Sequence, residues 1–181
     1  RKELLITCNE GISVNKLISG MAIMAVALSG QSALAQTCAS PGGPVTTSPS
    51  SFQSACTAAD EFDSICGGSV SAIGTSAVYQ VNVGSPNNFS ITVTPNSAGY
   101  DHAIFLIGPG CAQTANCVAD ADNAGPGAAE VVTIPNAQTP TLAAGTYYLV
   151  IDSTSSASGC VPSTVDVTGT LPVSLKNFSV E

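Results

Sequence analysis

The residues best placed to do chemistry are carboxylates. Asp120-Ala-Asp122-Asn123 and Asp60-Glu61-Phe-Asp63 set side-chain oxygens close together on stretches that read as loops. Calcium takes six to eight oxygen ligands and tolerates irregular geometry, so each run is a candidate Ca2+ site, completed by Asp101 or Asp152 if the fold brings them near. The first is not an EF-hand loop, since it lacks the glycine at the sixth position and the closing glutamate. Solvated loop carboxylates are the plainer reading. His102 is the single histidine, and its neighbour Asp101 points to the opposite face of an extended strand. No Gly-x-Ser-x-Gly elbow is present either. We therefore expect no catalytic residue, and His102 as an exposed strand position. Glycoside hydrolysis by paired acids needs aromatic sugar platforms; the chain has no Trp, and Tyr79, Tyr100, Tyr147 and Tyr148 suit strand packing.

Seven cysteines are present, and six remain once Cys8 is set aside: Cys38, Cys56, Cys66, Cys111, Cys117 and Cys160. An even number in an exported chain reads as three disulfides, with fifteen formal connectivities. Short loops favour Cys111 with Cys117 and Cys56 with Cys66, which leaves Cys38 with Cys160. Zinc is disfavoured, because there is no Cys-x-x-Cys pair and only one histidine.

These residues need a scaffold, and the Ala144-Gly-Thr-Tyr-Tyr-Leu-Val-Ile-Asp152 stretch predicts its central strand. The period of two sends Tyr147, Leu149 and Ile151 into a core and Tyr148, Val150 and Asp152 to the other face. Further strands are expected over Ala77–Val83, Asn88–Thr94, Asp101–Ile107, Ala129–Ile134, Thr164–Thr170 and Val173–Val180, separated by turn chemistry such as Gly108-Pro-Gly110. Seven or eight short strands without amphipathic helices specify an all-β fold, an antiparallel β-sandwich. Before it, 36–54 reads as an irregular lead-in, with a turn of helix within 51–65. Residues 55–170 form the sandwich and 171–181 a final strand or tail.

Residues 17–28 are an apolar run of twelve after Lys16, and Ala33-Leu-Ala35 follows as a small-x-small cleavage site, the pattern of a secretory signal peptide. The run is too short to span a bilayer. Residues 1–13 read as upstream read-through, with Val14 as a start codon decoded as Met. After cleavage one Lys stands against ten carboxylates, a net charge of −9. Nucleic acid and anionic membrane are thereby excluded as partners, since both need cationic side chains.

The strands also carry a resemblance. Tyr79-Gln-Val-Asn-Val, Phe89-Ser-Ile-Thr-Val, Tyr100-Asp101-His-Ala-Ile-Phe-Leu and Ala144-Gly-Thr-Tyr-Tyr-Leu-Val-Ile-Asp resemble the bacterial pre-peptidase C-terminal (PPC) domain family over roughly residues 55–170. The segments Cys56–Cys66 and Cys111–Cys117 are similar to those of disulfide-containing relatives. The resemblance implies a jelly-roll-like sandwich found beside exported enzymes, with calcium bound in some members. The function expected is a secreted, bacterial, non-catalytic accessory module, contacting a polysaccharide, a cell surface or an exported protein. A free-standing carbohydrate-binding module, with Tyr148 on an exposed sheet face, is the alternative. N-terminal sequencing of the exported product is expected to start at Gln36.

Overall fold

The computed structural model describes residues 36–45, 49–55, 60–68, 70–85, 87–113, 115–137, 139–154 and 161–171. The expected signal peptide, the predicted strand Val173–Val180, Cys56 and Cys160 lie outside the described residues. Eleven strands follow in order among those described: β1 (Gly42–Val45), β2 (Ser50–Gln53), β3 (Ser64–Ile65), β4 (Val70–Ser71), β5 (Ala77–Val83), β6 (Asn88–Pro95), β7 (His102–Ile107), β8 (Cys117–Ala121), β9 (Glu130–Ile134), β10 (Gly145–Ser153) and β11 (Ser163–Thr170). A five-stranded sheet, β1-β5-β10-β7-β8, faces a four-stranded sheet, β2-β11-β6-β9; β3 and β4 form a separate ribbon. Every pairing is antiparallel except β1 with β5. The fold is the antiparallel β-sandwich expected, and no described helix is long and apolar enough to cross a membrane.

Alternation builds the space between the sheets. Tyr79, Val81 and Val83 of β5, Ile104 and Leu106 of β7, and Leu149 and Ile151 of β10 meet Phe89, Ile91, Val93, Val165 and Val167 from the facing sheet. On β6 the intervening Ser90, Thr92 and Thr94 stay partly exposed, as a half-buried antiparallel strand requires. The five-stranded sheet does not follow that rule. All six residues of β7, His-Ala-Ile-Phe-Leu-Ile, are buried. Its outward residues Ala103, Phe105 and Ile107 join Val78 and Val150 in a second core beneath Phe62, Ile65 and Ala72. Residues 60–76, including the small β3–β4 ribbon, thus cover a sheet face that water would otherwise meet.

Among the described residues, two disulfides hold that cover. Cys38 bonds to Cys111, with Cα atoms 5.4 Å apart, and Cys66 bonds to Cys117, with Cα atoms 5.0 Å apart. The pairings expected from loop length, Cys111 with Cys117, Cys56 with Cys66 and Cys38 with Cys160, are corrected by these bonds. Proximity in sequence misleads here because Cys111 and Cys117 flank the β7–β8 connection, and each ties a different strip of chain to the sheet. Closing loops with sequence separations of 73 and 51 restricts the unfolded chain by about 4 kcal/mol each in the chain-entropy model, against about 2 for the short-loop staple.

The lead-in is also more ordered than its Ser/Pro/Gly composition suggests. It contributes β1, docked on β5 with Gly42 opposite Tyr79, and β2, docked on β11. A side chain at Gly42 would stand 2.5 Å from the Tyr79 ring, so that close approach requires glycine. No turn of α-helix lies in the described part of 51–65; a short 3-10 turn follows at Cys66–Gly68. Such edge strands take their hydrogen bonds from neighbours and carry no alternation of their own. The same holds for β8, which the sequence did not mark: Cys-Val-Ala-Asp-Ala is a strand because β7 pairs with it.

Double-sided burial of β7 has a direct test. Phe105→Ala, on the outward face, is expected to cost about 3–5 kcal/mol of unfolding free energy, comparable with Leu106→Ala on the inward face. Equilibrium denaturation reads both; a loss below about 1 kcal/mol at Phe105 would mean that the face is open to water. Peptide mapping without reduction should recover the Cys38–Cys111 and Cys66–Cys117 linkages.

Candidate functional site

The central strand carries a charged group into the cover. Ile151 points inward, so Asp152 points outward, where residues 72–76 bury it completely at 0 % exposure. The Ser76 hydroxyl donates to Oδ2 at 2.5 Å and the Gly74 amide donates to Oδ1 at 3.3 Å. The Ile73 amide donates to the Ser153 carbonyl at 3.2 Å. Gly74 has to be glycine, since a Cβ would lie 2.4 Å from the Ser153 Cβ. Burial outweighs these bonds and, with a smaller push from Asp60, raises the Asp152 carboxyl to about 6. The carboxylate therefore pins the strip that enters β5 onto the middle of the sheet.

The acids of the 60–63 run separate around this anchor. Glu61 accepts the Cys38 amide through Oε2 at 2.7 Å, tying the first disulfide to the cover. Asp60 and Asp63 are exposed. Asp120, Asp122 and Asn123 are likewise exposed, and Asp101 is half-buried. Asp122 is raised first by partial burial and then by the neighbouring charges of Asp101, Glu130 and Asp120.

His102 is a correction. It is buried, at 1 % exposure, because positions 102, 104 and 106 of β7 all face the space between the sheets. Its Nε2 lies 3.2 Å from the Val93 carbonyl, which fixes that nitrogen as the donor, and its ring stacks on Tyr100 with centroids 6.0 Å apart. Burial lowers its pKa below the usual histidine value, opposed by the Val93 bond and by Glu130 and Asp101. Glu130, at 2 % exposure, was missed by the sequence reading. It accepts the Asn123 and Ala124 amides at 3.2 and 2.6 Å and so closes the turn that follows β8. The signal was present: in Glu130-Val-Val-Thr-Ile134, alternation puts the glutamate on the same face as Val132 and Ile134.

Among the described residues, the one set of three His, Cys, Asp or Glu ligand atoms within 4.8 Å of one another is Cys66, Cys117 and Asp120, and its two sulfurs are joined in a disulfide. Among the described residues no three carboxylates bring oxygens within 4.8 Å of one another, although Asp101, Asp120 and Glu130 lie near enough to Asp122 for their charges to raise it. The tyrosines are committed to packing. Tyr79, Tyr100 and Tyr147 are buried, and Tyr148 is half-buried against the second core. The Tyr79 hydroxyl accepts the Ala55 amide at 2.7 Å and the Tyr147 hydroxyl donates to the Ala143 carbonyl at 3.0 Å.

Residues 75–153, from the strip before β5 to the end of β10, match the family model of the bacterial pre-peptidase C-terminal domain. Two solved structures are similar to the chain. The pre-peptidase C-terminal domain of a collagenase from Bacillus anthracis shares 18% identity, with 70% of this chain and 91% of that one covered and a TM-score of 0.43. PliG of Aeromonas hydrophila, a periplasmic inhibitor of g-type lysozyme, shares 16% identity, with 70% and 94% covered and a TM-score of 0.42. No curated protein matches the chain.

Asp152 and His102 tilt stability in opposite directions with pH. The folded Asp152 carboxyl, at about 6, keeps a proton that the unfolded chain releases near pH 4, so its stabilisation is lost as pH rises from 4 to 6, about 3 kcal/mol by neutrality. The lowered folded pKa of His102 means that the unfolded chain protonates first, so stability is lost as pH falls below about 6.5. Denaturation across pH 4–8 should show Asp152→Asn removing the decline between pH 4 and 6. His102→Gln should remove the acid-side loss.

Proposed function

We propose that this chain, a sandwich of the PPC type over residues 75–153, is a non-catalytic accessory module of an exported bacterial protein. The observation that carries the reading is the two-disulfide cover over the second core. Disulfides of this kind persist in oxidising, extracytoplasmic compartments, and this pair secures structure at the outer face of a sheet. The groups that could react are spent in the same way. Asp152 pins the cover, Glu130 closes a turn, and His102 donates to a backbone carbonyl between the sheets.

The same geometry argues for a protein partner over a sugar. Planar stacking on saccharide needs exposed rings, whereas the tyrosines are buried or packed against the second core. The described residues contain no Lys or Arg and nine Asp or Glu, so the surface complements a partner that presents cationic groups. An exported protein or a cell-surface protein fits that description.

With panels of peptide, ester and glycoside substrates the protein is expected to release no product above buffer; turnover abolished by His102→Gln would overturn the reading. In pull-downs on insoluble polysaccharides and cell-wall glycan it should stay in the supernatant, with or without calcium. Calcium in excess should leave the melting temperature unchanged, since a site filled a hundredfold above its Kd adds about 2.7 kcal/mol, a shift of several degrees.

A further inference from the structure

Cys66 and Cys117 are 51 residues apart in sequence and adjacent in space, and the Asp120 carboxylate lies within 4.8 Å of both sulfurs. A regular strand would send positions 117 and 120 to opposite faces. Here the β7–β8 register slips between Leu106 and Ile107, pairing them with Ala119 and Cys117, so that Val118 is the extra residue. A bulge of this kind reverses the alternation. Val118 and Ala119 are both buried, and Cys117 and Asp120 emerge together on the exposed side. Across from them, Cys66 is held in the left-handed region (φ 59°), alone among the described non-glycine residues, and Gly67 follows at φ 75°. Two consecutive residues of that hand turn the chain back so that the Cys66 sulfur meets β8.

We propose that, whenever the Cys66–Cys117 bridge is open, the two thiolates and Asp120 form a binding site for a divalent cation of the zinc type. Two sulfur ligands and one carboxylate select a borderline-soft ion over calcium or magnesium, which take oxygen. Sulfurs about 2.3 Å from a tetrahedral ion stand about 3.8 Å apart. Side-chain rotation reaches that separation from Cα atoms 5.0 Å apart. Three protein ligands leave one position for water, and exposed Asp120 faces the solvent from which an ion arrives. Opening the bridge takes two electrons and two protons. A phosphine supplies the electrons and leaves as its oxide with the oxygen of one water, whose protons complete the two thiols; the ion then displaces both thiol protons. The bridge and the ion are alternative occupants of one cluster, the bridge in an oxidising compartment and the ion wherever the thiols are free.

Cobalt(II) is the probe, added to the full chain with and without prior phosphine reduction. Reduced protein is expected to take up one equivalent with a near-ultraviolet thiolate-to-metal band, and oxidised protein to show no such band. The band should disappear in Cys66→Ser/Cys117→Ser and persist in Cys38→Ser/Cys111→Ser. Asp120→Asn keeps every thiol and should weaken cobalt binding at least about tenfold. A band retained without Cys66 and Cys117, unchanged affinity in Asp120→Asn, or no band in reduced protein would each overturn the site. So would loss of the far-ultraviolet β signal on reduction, because the ligands would then no longer be held together.

Discussion

The constraint on which the structure depends is that the middle of the five-stranded sheet is apolar on both faces. A sandwich satisfies one face of each sheet and leaves the other to water. In β7 and β10 the second face carries Phe105, Ile107, Val150 and half-buried Tyr148, which cannot be left there. The domain therefore needs a third layer, and residues 60–76 supply it with two-residue strands and a 3-10 turn that have little structure of their own.

A layer so thin is held by points rather than by area. Cys38–Cys111 and Cys66–Cys117 fix its rim, Glu61 ties the first of them to the cover, and Asp152 holds the strip at 73–76 from below. The carboxylate is an unfavourable choice in energy alone, since burial raises its pKa to about 6. Its oxygens accept from Ser76 and Gly74 at the place where the cover passes into β5, and an aliphatic side chain there would leave those donors unmet. What it contributes is a definite position for the cover over the sheet.

The same layer determines where reactive groups fall. Asp152 is consumed inside it, whereas His102 and Glu130 are consumed between the sheets and at the turn after β8. The acids that remain exposed, Asp60, Asp63, Asp120 and Asp122, do not meet in threes. One cluster with ligand chemistry arises only because the cover brings Cys66 against a bulged edge strand.

Much of the sandwich was legible from residue order. Alternation placed β5, β6, β7, β9, β10 and β11 to within a residue at most ends, because a half-buried strand writes its face into every second position. It placed Asp152 opposite Ile151 correctly, and the same rule contained Glu130 and the inward face of His102. The tertiary structure alone decided the rest. Whether an outward face meets water or a cover depends on chain from elsewhere, so Asp152 and Phe105 could not be known as buried from their own strands. Edge strands β1, β2 and β8 exist through partners rather than through pattern. Disulfide choice follows which strips lie together in space, and a loop of six residues says nothing about a partner 51 or 73 positions away.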